Sequence, residues 1–505
     1  MISLRRILWA VAAALRIFSL VFLVPLPFAF VYEDWTIPLV GALSVPRTIV
    51  PFLEAFLAAT LAWGVLRLVS RSAQDEELTD REGTLAVGIG WLAATLLAMV
   101  PFLASRSVGG PGDAFFEAMS GLTGTASTAM SGYAGLPASL VAYRALLSWT
   151  GGLAIIVLMV ALLSRLTHAG LPSVQGAGAA GTGRLKPKLA VAARSLGLLY
   201  FIVTVVVAAV LAGTLFLRIH LDAKAAVFQG LVQGMGAYAA GGIADPAGPW
   251  PGAGDPVVDG VLVVAMLLGG TNFALTFSAV RRGGLRRAAG DAEWRLYLGV
   301  FAGLALLVDL LLVRAGRGVA FALHHGTYTA ASLLTGTGTY TVDYAAWPAA
   351  VLLVLLLGVL AGASTGSPAG GIKSLRFVVL GRLVLREWRK ILHPRAVVPV
   401  RVGSTVLKEE AVAGVMAFFF TYLALWTLGA VALLAIAPSL DATDSAAAAA
   451  SALGDVGAGF GHLGPAHGLG ALPAAGKLVL CALMWLGRLE VFTALVLFNP
   501  LSWRT

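Results

Sequence analysis

The chain has 505 residues, 59% hydrophobic and only 12% charged, with a formal net charge of +10 and a mean hydropathy of +0.89. A soluble chain of this size carries roughly a quarter charged residues. Hydrophobic stretches of roughly 20 residues recur, each long enough to cross about 30 Å of hydrocarbon. The composition excludes a soluble domain and implies an all-α polytopic membrane protein.

In chain order, spanning helices are predicted near 7–32, 48–70, 83–104, 138–166, 195–218, 257–280, 294–314, 345–390 (broken), 412–437 and 472–498, about ten crossings. The opening MISLRRILWAVAAALRIFSLVFLVPLPFAFVY is basic at its start, but its apolar stretch is too long for a signal-peptide core. It reads as a first helix with Arg5 and Arg6 inside. From that start, the inner segments hold Arg5 and Arg6; Arg67, Arg71 and Arg81; five basic residues from Arg165 to Arg194; five from Arg281 to Arg295; nine from Lys373 to Lys408; and Arg504, or 25 of the 35. Such one-sided bias is the positive-inside signature. The positive charge is therefore topological, and nucleic acid is not an expected partner. The single cysteine, Cys481, lies in an apolar run and offers no disulfide framework.

From residue 83 onward the chain repeats a unit four times: a spanning helix, a short weakly hydrophobic stretch turning to glycine, and a second spanning helix. The stretches are 113–133, 225–245, 318–344 and 445–465. Irregular backbone at membrane depth is tolerated only where it is buried or lines a watery cavity, so four such hairpins predict a central pore. The expected organisation is two N-terminal helices with a cytoplasmic loop (1–82) and four pore repeats (83–190, 191–290, 291–405 and 406–505). Within the hairpins, TGTAS (123–127), AAGGI (239–243), TGTGT (335–339) and GDVGA (454–458) suit a carbonyl-lined cation site. Dehydrating a cation requires several oxygens at fixed distance, which an unobstructed backbone supplies, and the negative end of each short helix adds to the attraction.

Three of the second helices read WTGGLAII (149–156), LLGGTNFALTF (267–277) and WLGRLEVF (485–492), so that Arg488 matches Gly152 and Gly270. An arginine in mid-helix is expensive in lipid and is expected to face the pore or a partner charge, with Glu490 the nearest candidate. His324, His325, His462 and His467 lie near the third and fourth glycine stretches. Their spacing suits no compact metal site, and solvated external histidines are expected. Intramembrane carboxylates are few (Glu54, Asp259, Asp309 and Glu490) and Cys481 has no evident partner, so an enzyme is not expected. The repeats run in one orientation, against an ion-coupled carrier built from inverted repeats.

The segments FFEAMSGLTGTAST, PASLVAYRALLSWTGGLAIIVL, RLKPKLAVAARSLGLLYFIVT, GGTNFALTF, GASTGSPAGGIKSLR and GRLEVFTALVLFNPLSWR follow one another from about residue 83 to 504. In this order they resemble the TrkH type of potassium transporter, in the superfamily that also holds the KtrB and plant HKT proteins. The resemblance implies potassium uptake through a selectivity filter with one glycine per hairpin. By position these fall on Gly242, Gly338 and Gly457, with Ala126 at the first. It implies further carbonyls from Gly124 and Thr125, Ala240 and Gly241, Gly336 and Thr337, and Asp455 and Val456. Ala126 replaces a glycine, and Asp455 stands where an amide is more usual. A methyl at a position that favours positive φ is expected to admit sodium beside potassium, as plant relatives with serine there tend to do.

The same resemblance makes AGASTGSPAGGIKSLR (361–376) an intramembrane gating loop beneath the filter. Its gating residues are then Gly362, Gly366, Ser367, Gly370, Gly371 and Lys373, with Arg488 opposite. Ser364, Thr365 and Ser367 offer hydroxyls to freed backbone groups, and Pro368 stands where Thr or Gly is more common. Also implied are a homodimer in the cell inner (plasma) membrane and a cytoplasmic, nucleotide-binding regulatory subunit of the TrkA kind. Potassium is the transported ion, and no cofactor is expected on this chain, which lacks a Rossmann or P-loop motif.

Overall fold

The computed structural model describes residues 2–33, 35–40, 43–73, 78–133, 135–166, 185–279, 284–403, 405–457, 459–500 and 503. Arg184, Arg281, Arg282 and Arg504, counted above among the inner basic residues, and Ala458 of the fourth glycine stretch lie outside them. The described chain is overwhelmingly helical. Its strands form two short hairpins, Trp35–Val40 with Leu43–Pro46 and Arg401–Val402 with Thr405–Val406.

Seven described helical segments are long and apolar enough to cross a membrane: Leu4–Tyr32, Ile49–Val69, Arg81–Ala104, Ala138–Leu158, Ala193–Ile219, Ala292–Arg314 and Glu409–Ile436. Two further spans, predicted as straight at 257–280 and 472–498, are bent, which corrects the sequence reading. Pro256–Gly269 turns through 107° into Phe273–Ala279, and Ala474–Arg488 turns through 111° into Phe492–Phe498. At the first bend the helix restarts on Asn272, whose side-chain oxygen accepts the Ala274 N–H at 2.9 Å. At the second, Glu490 and Val491 take φ of +59° and +26°, and the Glu490 carboxylate turns away to Lys373 and Arg376. The segment at 345–390 consists of Ala349–Ala361, a loop, and Ser374–Leu392. This is a multi-pass, all-α membrane protein.

Aspartates set several helix starts by accepting orphan N–H groups. Asp291 accepts from Trp294 at 2.9 Å and Asp441 from Asp444 at 2.7 Å. Four short helices lie between spanning ones: Pro111–Thr123, Ala223–Tyr238, Thr327–Thr335 and Ala442–Leu453. From Phe116 to Thr123 the first is buried throughout, as is the third from Tyr328 to Thr335. Outer helices instead expose Leu61, Phe420, Leu428 and Val431. Charged and polar side chains of the short helices are thus buried beside large apolar ones, while the outer helices turn large apolar residues outward, as a lipid solvent allows.

Candidate functional site

All four short helices end in the same way. A left-handed residue closes each one: Gly124, Ala240, Gly336 and Asp455, with φ of +74°, +52°, +80° and +52°. The next residue donates its N–H to the carbonyl five positions back: Thr125 to Ser120 (2.8 Å), Gly241 to Gly236 (3.0 Å), Thr337 to Ser332 (2.9 Å) and Val456 to Ser451 (2.9 Å). This closure satisfies carbonyls that every helix end leaves over. The third residues, Ala126, Gly242, Gly338 and Gly457, then begin non-helical segments that touch one another. Ala126 N–H donates to Val456 O at 3.2 Å and Gly242 N–H to Thr337 O at 2.7 Å. A Cβ built on Gly241 would stand 2.7 Å from the Gly124 Cα. The structure therefore brings all twelve predicted filter residues to one centre.

Two expectations about that centre change. The carbonyls of Thr125, Thr337 and Val456 are not free: the latter two accept from neighbouring segments, and Thr125 O accepts from Ser120 Oγ at 2.5 Å and Arg144 Nη2 at 2.8 Å. The carbonyls one residue earlier, on Gly124, Ala240, Gly336 and Asp455, accept no hydrogen bond among the described residues. A Cβ on Gly336 would lie 3.4 Å from Asp455 O and 3.7 Å from Ala240 O, so these oxygens converge. In addition, Ala126 does not have a positive φ, and neither does Gly242; only Gly338 (+72°) and Gly457 (+93°) do. The backbone reason for a weakened filter at Ala126 is therefore absent.

Sequence reasoning missed what stands behind the first segment. Arg144, wholly buried, pairs with Glu117 at 2.7 Å and donates to Ser148 Oγ, Ser120 Oγ, Thr125 O and Ser127 O. The second Glu117 oxygen accepts from Thr128 Oγ1 (2.8 Å) and Ala129 N–H (3.0 Å). The signal was available, since Arg144 is an arginine within a predicted span.

The loop at 362–373 folds back on its own ends. Ile372 N–H reaches Leu360 O at 3.1 Å, Lys373 N–H reaches Ala361 O at 3.0 Å, and Gly362 packs against Gly370 and Gly371. Gly362, Gly366, Gly371 and Lys373 all have positive φ. Ser367 Oγ binds Ser364 O at 2.7 Å, but Ser364 Oγ goes instead to Glu293 (2.9 Å), which also accepts the Thr365 N–H. Two bonds tie the loop to the bent second-repeat helix: Ser364 N–H to Gly270 O (3.0 Å) and Phe273 N–H to Gly366 O (3.3 Å).

Gly151, Gly269 and Gly487 each press against a short-helix backbone, at Leu122, Tyr238 and Leu453, where a Cβ would collide. The three helices are thus in register, and Arg488 occupies the place of Gly152 and Gly270. Its side chain is 3% exposed and does not pair with Glu490, which is taken by Lys373 (2.7 Å) and Arg376 (2.6 Å). Arg488 Nη1 donates to Pro368 O of the loop. Both terminal nitrogens would lie 3.6 Å from a Cβ on Gly124. Gly370 lies against the Gly454 carbonyl, so Gly370 and Arg488 reach the four convergent segments, whereas Gly366 lies against Asn272 and Lys373 pairs with Glu490.

Residues 51–504 match the family described as TrkH, cation transport protein. The chain belongs to this family. It is therefore a cation transporter and not an enzyme. It is 30% identical over 463 residues to the Trk system potassium uptake protein TrkH of Escherichia coli K12, covering 90% of this chain and 92% of that one. It is 28% identical over 516 residues to TrkH of Halomonas elongata, covering 99% and 100%. The crystal structure of the potassium transporter TrkH from Vibrio parahaemolyticus superposes with a TM-score of 0.84 at 28% identity, covering both chains fully.

In this TrkH-family chain the histidines are not uniformly solvated, contrary to expectation. His324 Nε2 lies 2.8 Å from Asp259, a buried carboxylate, and His325 Nδ1 lies 2.8 Å from Thr341 Oγ1. His462 is exposed and pairs with Asp444 at 2.8 Å.

Proposed function

We propose that this chain takes up potassium across the cell inner membrane, through a filter formed by residues 124–126, 240–242, 336–338 and 455–457. The observation that carries the reading is the fourfold repetition of one backbone closure around converging, unbonded carbonyls. Relatives along nearly the whole chain are named potassium uptake proteins. Their name, Trk system, also supports a multi-component assembly. In our reading a homodimer docks a TrkA-like, nucleotide-binding regulatory subunit on its basic inner face, and the bilayer is the other partner.

The loop is the gate in this reading. It lies against the fourth segment at Gly370, contains four positive-φ residues, and is latched to Arg488. Arg488 adds an electrostatic barrier: at about 4 Å and an effective dielectric near 20, like charges repel by ~4 kcal/mol. The test is reconstitution in liposomes with potassium and sodium fluxes measured side by side. Potassium flux exceeding sodium flux is expected, and deleting Gly362–Gly366 should raise it strongly while insertion remains intact. Equal fluxes overturn the filter reading; unchanged flux in the inserted deletion overturns the gate.

A further inference from the structure

Among the four residues that close the short helices, Asp455 alone has an ionisable side chain. It is 1% exposed. Its Oδ1 takes a long hydrogen bond from Thr125 Oγ1 at 3.4 Å, while its Oδ2 has no hydrogen-bond partner. A Cβ on Gly370, in the loop beneath, would stand 3.1 Å from that oxygen. Arg488, whose terminal nitrogens approach Gly124, leaves Nε and Nη2 without partners. Acid and base lie within each other's electrostatic influence, but no ion pair joins them within 4.0 Å among the described residues. The two other cations nearby, Lys373 and Arg376, are consumed by Glu490.

A buried carboxylate oxygen without a partner is costly. At this place two positive charges can relieve it: an ion leaving the filter past the converging carbonyls, or the Arg488 guanidinium swinging from Pro368. We propose that Asp455 is a cation-binding site at the inner end of the filter, shared in alternation by the transported ion and Arg488. The inference rests on the chain being a cation pore and adds to it a second, competing occupant. A carboxylate beside carbonyl oxygens is also a hard-oxygen site of the kind alkaline-earth ions favour. Barium applied from the inner side should therefore lodge there and block.

The experiment measures barium block of potassium flux by the full chain in oriented liposomes. Asp455→Asn, which keeps the shape and removes the charge, should raise the half-blocking concentration at least tenfold. Arg488→Gln, which removes the competitor, should lower it, and should lose that effect in the Asp455→Asn background. Unchanged block in Asp455→Asn overturns the site. Unchanged block in Arg488→Gln overturns the competition, and does so even where Asp455→Asn fails to insert. A parent that passes neither potassium nor sodium overturns the pore reading itself, and this inference with it.

Discussion

The first and fourth glycine segments share one backbone closure and are opposite in electrostatics. Behind the first, the buried charges of Arg144 and Glu117 are saturated: every Glu117 oxygen and three Arg144 nitrogens have partners. Beneath the fourth, Asp455 Oδ2 and Arg488 Nε and Nη2 have none. A saturated buried pair fixes geometry, because moving either member strands the other. An unsaturated one stores a preference that a passing ion or a moving side chain can satisfy. In our reading one fold thus uses buried charge for rigidity behind the first segment and for change beneath the fourth.

The sharpest way to break this contrast is Arg144→Met. Removing one member of a buried pair costs ~3–5 kcal/mol, so thermal unfolding in detergent should drop steeply and folded yield should fall. Arg488→Gln, by comparison, should leave the melting temperature nearly unchanged. Equal melting temperatures for Arg144→Met and its parent would mean that the first segment holds its shape without the brace.

An intermediate effect is expected at the filter glycines. Gly457 has φ of +93°, and a Cβ there collides with the Ala126 and Ser127 amides. The left-handed backbone alone costs ~1–2 kcal/mol for a non-glycine residue, and 1.4 kcal/mol corresponds to a tenfold change in discrimination. Gly457→Ala should therefore cut potassium-over-sodium selectivity about tenfold or more, read from reversal potentials. Ala126→Gly should shift it by less than about threefold, because Ala126 already has an ordinary φ. A large shift toward potassium in Ala126→Gly would show that its methyl acts through packing on Gly338 instead.

The smallest effect lies outside the membrane, at His462 and Asp444. The Asp444 carboxylate, by hydrogen bond and then by charge, raises the His462 pKa above its usual value of 6.5. A raised folded pKa means that stabilisation is complete below about 6.5 and is lost as pH rises through the folded value. Melting temperature should thus decline slightly from acidic to alkaline pH, and His462→Gln should flatten that slope. A slope unchanged in His462→Gln would assign it to other groups.

Much of this was legible from the sequence, because its governing patterns are local. Long apolar runs give spans, and the recurrence of TGTAS, AAGGI, TGTGT and GDVGA gives equivalent positions that the backbone closures respect. What escaped depends on contacts across the chain. The bend at Leu489–Val491 arises because Glu490 is claimed by Lys373 and Arg376, over a hundred positions earlier. Glu117 and Arg144 meet because two helices pack, and Glu293 caps a loop in another part of its repeat. The φ at Ala126 is set by its pairing with Val456, which no feature of TGTAS encodes.

The neck of the loop is closed by its own hydrogen bonds, from Ile372 to Leu360 and Lys373 to Ala361. The half-helices on either side therefore need not part when the loop moves. If the loop is the gate, what swings is a small bead held by a handful of bonds to the second, third and fourth repeats, at Gly270, Phe273, Glu293 and Arg488. A typical hydrogen bond contributes about 1 kcal/mol net. Losing any one of these ties would then shift the fraction of time the passage is clear by roughly fivefold, since 1.4 kcal/mol is a factor of ten. In our reading such a latch works as a dial: single substitutions on three separate helices can each reset the resting leak.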